Sequence, residues 1–209
     1  MGGLLAGLVH VLSGPDHLAA VAPYAAQHRR RAWRVRLRWG LGHTGGVLAI
    51  GVLLLLSRDA ALPIQWLAAG SERLVGVVLI AIGLWGLRTA ARVRRDVFDS
   101  APEASAGRGP SHSHATAFGV GLLHGLAGSS HLLGIVPALA LPSPLAAGTW
   151  LLLFGTGTIL GMMAFASVIG FAATRFLSSA GVRGYRTLLY VCAAAAVGVG
   201  AFWLLIGAA

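Results

Sequence analysis

His10-Val-Leu-Ser-Gly-Pro-Asp-His17 places two histidines and one aspartate inside an otherwise apolar stretch, and it returns in altered form as His124-Gly-Leu-Ala-Gly-Ser-Ser-His131. With flanks, Gly7 to Pro23 lies over Gly121 to Pro137 without a gap. Eight of the seventeen positions are identical, at Gly7, Leu8, His10, Leu12, Gly14, His17, Leu18 and Pro23. Agreement of this kind at one offset marks the chain as a duplication whose halves present the same polar device.

The 209 residues are 56% hydrophobic and 11% charged, with a mean hydropathy of +0.78. Soluble domains carry about 25% charged residues, so the expected class is an all-α integral membrane protein. The net charge of +10 comes from sixteen arginines and no lysine. These lie in the gaps between apolar runs and form no basic face, which argues against a nucleic-acid partner. Cys192 is the single cysteine, so neither a disulfide framework nor a CxxC redox pair is available.

A bilayer crossing takes about 20 mostly apolar residues as helix. Runs of that character fall near residues 3–26, 40–57, 70–88, 116–141, 146–174 and 187–208. The expected plan is therefore six transmembrane helices in two three-helix repeats, residues 1–95 and 116–209, joined by a cytoplasmic linker at 96–115. The first run lacks a basic n-region and holds Asp16 and His17 where a signal peptide would be uninterrupted; it is expected to be a retained helix.

Cytoplasmic connections hold the excess of positive charge. Six arginines follow the first run (Arg29, Arg30, Arg31, Arg34, Arg36, Arg38), five follow the third (Arg88, Arg92, Arg94, Arg95, Arg108) and three follow the fifth (Arg175, Arg183, Arg186), against Arg58 and Arg73 on the other face. This places both termini on the extracytoplasmic side of a cell (inner) membrane. An odd number of helices per repeat then turns the halves upside down relative to each other, as in many secondary transporters. Later repeat matches are fainter: Gly42-His43-Thr44 is laid on Gly155-Thr156-Gly157, and Gly83 to Leu87 on Gly200 to Leu204. Gly157 and Gly161 have the spacing that permits close helix approach.

Ionisable groups at bilayer depth cost several kcal/mol unless paired or hydrated. The candidates are His10, Asp16 and His17 on the first helix, His43 on the second, and His124 and His131 on the fourth. Residues seven apart share a helix face but are separated by about 10.5 Å along the axis, too far for one ion bound at about 2 Å from each imidazole. Gly14-Pro15 lies between His10 and His17, and an interior proline breaks the helix; the break is expected to draw the rings together. The second copy has Ser129-Ser130 in place of Pro-Asp, so it carries no charge. Imidazole with one carboxylate suits a divalent ion such as Ni, Co, Zn or Cu better than Mg or Ca. A set of interhelical hydrogen bonds and a proton relay are the competing readings. Ser111-His-Ser-His114 in the linker reads as a flexible segment able to hold metal only loosely. The Arg29 to Arg38 cluster reads as a lipid-headgroup anchor, with Trp33 and Trp39 as an interfacial belt.

His10-x5-Asp16-His17 resembles the signature of the nickel/cobalt permeases, and is similar to the form H-x-x-x-G-x-D-H of the hydrogenase- and urease-accessory nickel permeases. The larger nickel/cobalt transporters have a similar motif with one residue fewer. Val11 stands where the accessory permeases usually have proline. The resemblance implies that His10, Asp16 and His17 recognise metal, that His43 in Gly42-His43-Thr44 serves with them, and that the six-helix, two-repeat plan is shared with a wider superfamily of amino-acid, sulfite and thiol-reductant transporters. The expected function is a permease for a divalent transition-metal cation, Ni(II) or Co(II) before Zn or Cu, with no enzymatic activity and no prosthetic group. Expected partners are the ion, the lipid bilayer, further copies of the chain and a metallochaperone. The alternatives are a proton-coupled metal exporter, an exporter of a small organic or sulfur anion, and a metal-sensing accessory subunit.

Overall fold

The computed structural model describes residues 1–27, 32–56, 64–93, 113–126 and 132–206. They form seven helices, and among the described residues there is no strand: α1 (Gly2–Ser13), α2 (Pro15–Gln27), α3 (Ala32–Leu56), α4 (Ile64–Arg92), α5 (Ser113–Leu126), α6 (Leu132–Leu139) and α7 (Pro144–Ile206). Three of these, α3, α4 and α7, are long and apolar enough to cross a membrane, and α1 with α2 qualifies jointly as a broken span bent by 72°. The outward faces are apolar, with Leu12, Leu152, Val168 and Phe171 all more than half exposed, as lipid contact requires.

Among the described residues the apolar runs and the helices differ in three places, one being the run at 116–141, which is described as α5 and α6 on either side of residues 127–131. The run at 3–26 becomes two helices because Pro15 has no N–H to continue α1. The residue before a proline is driven to extended backbone, and Gly14 adopts it (φ −89°, ψ 99°). Pro15 then sits at the start of α2, where the missing donor costs nothing. The runs at 146–174 and 187–208 become one element of 63 residues, because residues 175–186 contain no helix breaker except glycine. At about 1.5 Å per residue such a helix would be about 95 Å long, three times the hydrocarbon core. It is interrupted at Gly181 (φ 59°, ψ −156°). Ala173 on one arm shares a buried cluster with Tyr185 and Leu189 on the other, so the arms fold back as a hairpin.

That backbone region is open essentially to glycine alone. Gly181→Ala is expected to destabilise the protein by about 1–3 kcal/mol, seen as a lower thermal midpoint in detergent. Gly198→Ala on the same element is the control: a Cβ there meets nothing within 4 Å and the substitution is expected to be neutral or mildly stabilising.

Backbone meets backbone at three crossings. Added Cβ atoms on Gly7 and Gly157 would strike Phe154 O and Leu4 O, where α1 crosses α7. Those on Gly42 and Gly121 would strike Phe118 O and Trp39 O, where α3 crosses α5. Gly76 and Gly200 each approach the other's carbonyl, at 2.7 Å from a built Cβ, where α4 crosses the second arm of α7. The first two crossings correspond residue by residue. Gly7 abuts Thr158 N as Gly121 abuts His43 N, and Gly157 abuts Leu8 N as Gly42 abuts Leu122 N. Gly157-Thr158 therefore occupies the place that Gly42-His43 does, a shift from the pairing with Gly155 and Thr156 that local similarity suggests.

Candidate metal centre

The bend at Gly14 brings the ends of the motif together. His10 Nε2 and His17 Nε2 are 2.7 Å apart, although the two residues are two turns apart in sequence. A Cβ on Gly14 would lie 2.9 Å from Asp16 Oδ1 and 3.1 Å from His10 O, so the corner leaves little room for a side chain. Asp16 occupies the first turn of α2, where the helix dipole favours a carboxylate.

Two other helices complete the cluster. From α5, His124 Nε2 lies 2.7 Å from His17 Nδ1 and 3.1 Å from Asp16 Oδ2; Asp16 Oδ2 lies 3.5 Å from His17 Nδ1. From α3, His43 places its ring 4.9 Å from that of His17 and 6.0 Å from that of His10. The Gly42/Gly121 crossing permits this: only helices in backbone contact deliver His43 and His124 to the same point.

His17 and His43 are fully buried, and His10, His124 and Asp16 are at most 3% exposed. Among the described residues these five and Thr158 are all of the buried polar or charged side chains. Thr158 has a local role, its hydroxyl donating to Phe154 O at 2.9 Å. The other five form two groups able to hold an ion, His10 with His17 and His43, and Asp16 with His17 and His124, with ligand atoms within 4.8 Å of one another in each. A neutral imidazole has one N–H and one lone pair. The three rings His10, His17 and His124 therefore make a hydrogen-bonded chain, His17 donating to one neighbour and accepting from the other, and the Asp16 carboxylate lies beside the junction of His17 and His124, at His124 Nε2.

Aromatic rings close both sides. Phe154 lies 5.2 Å from the His10 ring. Trp39 stacks on His43 at 5.8 Å and 29° and lies 5.5 Å from His124. Trp39 is 7% exposed, so it belongs to the cluster and not to an interfacial belt. The sequence signal for this was its spacing, one helical turn before His43 and thus on the same face.

Relatives bear on this arrangement. Over 90% of its length, and over 82% of the relative, the chain is 26% identical to the urease accessory protein UreH of Bacillus sp. (strain TB-90). The chain is distantly related to a urease accessory protein. It is also 34% identical over 95% of its length to the chloroplast protein FOR GROWTH AND FERTILITY 1 of Arabidopsis thaliana, and 33% identical over 95% to FOR GROWTH AND FERTILITY 2 of the same plant. The chain spans 56% and 54% of those two plant proteins. No protein-family model and no solved structure matches it. Relation to UreH agrees with the family resemblance carried by His10, Asp16 and His17 together with Gly42-His43-Thr44.

Of the six candidate ligands, five are brought together: His10, Asp16, His17, His43 and His124. His131 lies outside the described residues, as do residues 96–112 of the expected linker with His112, whereas 113–115 belong to α5; nothing is described of the His114 or Trp33 side chains.

Proposed function

We propose that the chain is a membrane permease for a divalent transition-metal cation, Ni(II) or Co(II) before Zn(II) or Cu(II), and performs no catalytic step. One observation carries this reading: four imidazoles and one carboxylate, from helices remote in sequence, converge in a buried cluster at the break of a membrane-length element. Interhelical hydrogen bonding needs only pairs of such groups. Two overlapping triads of ligand atoms are what a coordinated ion takes, and buried ionisable groups in lipid are otherwise costly.

The donor set supports the metal class. Four nitrogens and one oxygen suit first-row ions of the Ni, Co, Zn and Cu group and suit Mg or Ca poorly. Nitrogens about 2.0–2.1 Å from an ion lie about 2.9 Å apart at right angles and about 3.4 Å apart at the tetrahedral angle. The 2.7 Å between His10 Nε2 and His17 Nε2 is shorter than either, the separation of two hydrogen-bonded rings, so an ion entering between them moves them apart. Asp16 within the cluster speaks against an anionic substrate. Relation to a urease accessory protein agrees with the accessory nickel permeases that the motif resembles.

The membrane plan extends this reading. The corresponding crossings of α1 on α7 and α5 on α3 support two inverted repeats, with the broken α1–α2 element and α5–α6 as the first member of each and the arms of α7 as separate spans. The six-span plan, with arginine-rich connections in the cytoplasm and both termini outside, puts His10 on the outer side of His17. Inward movement down a potential negative inside then gains about 2.3 kcal/mol per charge per 100 mV, twice that for a divalent ion, so uptake needs no ATP.

Purified protein in liposomes with an imposed potassium diffusion potential tests this. The expected result is saturable 63Ni(II) accumulation that follows the potential and disappears when it is collapsed. Accumulation driven only by a pH gradient would favour proton-coupled export, which the hydrogen-bonded chain of His10, His17 and His124 beside Asp16 also suits. Absence of metal flux under both gradients would refute transport.

A further inference from the structure

His17 belongs to both triads, and the shape of imidazole decides what that means. Its two ring nitrogens point away from each other in the ring plane, so a single ion cannot bind both. Nε2 faces His10 at 2.7 Å, on the side of the His10, His17 and His43 group. Nδ1 faces His124 at 2.7 Å and Asp16 at 3.5 Å, the atoms of the second group. One ion held through His17 therefore has one set of partners or the other.

We propose that the cluster is two metal positions in series that share His17, and that the cation is handed from one to the other around this ring. This rests on the metal-transport reading above and adds to it the number of positions and their order. The position made by His10, His17 and His43 has only neutral imidazoles. The position made by Asp16, His17 and His124 has the carboxylate, and therefore holds a dication more strongly by direct charge attraction. On the orientation given above, an entering ion meets the neutral position first and the charged one second. A neutral imidazole offers a single lone pair, so the two positions fill one at a time. Phe154 stands beside the first position at His10, and Trp39 lies against His43 of the first and His124 of the second, so aromatic rings border both positions.

The test is equilibrium dialysis of the full-length purified protein against Ni(II), together with flux in liposomes. Wild type is expected to bind one ion per chain. His43→Ala removes a ligand from the first position only, and Asp16→Asn from the second only. Each variant is expected to keep one ion per chain: His43→Ala with affinity close to wild type, because the stronger charged position is intact, and Asp16→Asn with affinity about tenfold or more weaker, since losing even a group that only orients a ligand costs about 10- to 100-fold. Each is also expected to lose flux by a larger factor than it loses affinity, because one station of the path is gone. The double variant His43→Ala/Asp16→Asn is expected to bind none. Complete loss of binding in each single variant, with the variants still monodisperse by size exclusion, would overturn the proposal in favour of one undivided site. Equal fold-losses of flux and affinity in both would overturn the series arrangement. A wild type that binds no Ni(II) would instead refute the metal reading beneath it.

Discussion

His17→Ala is expected to remove Ni(II) binding, with affinity reduced by more than about 100-fold, beyond what loss of a merely orienting group causes. No other side chain belongs to both triads, so no other single truncation empties both. The reason lies in the packing: His17 is fully buried with one ring nitrogen on His10 and the other on His124. Truncation leaves those two rings without their shared neighbour and opens a space in a tightly packed region. Leaving a buried polar group unsatisfied costs about 1–3 kcal/mol, so a modest fall in thermal midpoint accompanies the loss of binding. Dialysis with Ni(II) and a thermal scan on the same preparation separate the two effects. Binding that persists at wild-type affinity in His17→Ala would place the metal elsewhere.

Gly125→Ala is expected to disrupt both the fold and the cluster with a single methyl group. A Cβ at Gly125 would fall on His43 O, with His43 C and Cα at 2.8 and 2.9 Å. That contact is backbone, so no side chain can rotate aside. The helices α3 and α5 must separate, and overpacking of this kind costs about 1–3 kcal/mol, at times more. His124 precedes Gly125, and His43 carries the carbonyl that is struck. The same displacement that destabilises the helix pair therefore pulls His124 away from His17 and Asp16. Thermal midpoint and Ni(II) affinity are expected to fall together. Gly119→Ala on the same helix is the control, because a Cβ there meets nothing within 4 Å, and alanine is the better helix former.

Much of the helical plan was legible in the sequence because membrane helices advertise themselves by hydropathy. Gly14-Pro15 announced its break through the missing proline N–H, and the break brought His10 and His17 to hydrogen-bonding distance. The clustering of His43 and His124 with them was suggested by burial cost, by the repeated motif for His124 and by the resemblance of Gly42-His43-Thr44 for His43. What the sequence did not show was partner choice. Nothing in the hydropathy of α3 says that Gly42 and Gly46 face α5 rather than lipid. Trp39 has the residue type of an interfacial anchor, and only its neighbours reveal it as a wall of the cluster. Thr158 was obscured because the two repeats share the glycine that lets backbones pass, while the adjacent side chain has diverged from histidine to threonine. The continuation of α7 through residues 175–186 was equally hidden, since helix persistence is local and Gly181 breaks it by its φ angle rather than by its composition.

The repeat logic also explains the asymmetry of the cluster. The first copy supplies the proline break and the carboxylate of Asp16; the second supplies His124 without an acid at the matching position, Ser130. The crossings of α1 on α7 and of α5 on α3 are of the same kind, so the two motif stretches differ in chemistry more than in packing.

X-ray absorption at the nickel edge, on wild type and His17→Ala loaded with Ni(II) alone, tests most directly whether the buried cluster is the metal site. Wild type is expected to show nitrogen and oxygen neighbours at about 2.0–2.1 Å with the outer-shell scattering of imidazole rings. His17→Ala is expected to retain no bound nickel after dialysis. A wild-type spectrum of hydrated nickel without imidazole scattering, or an unchanged imidazole signal in His17→Ala, would contradict the account.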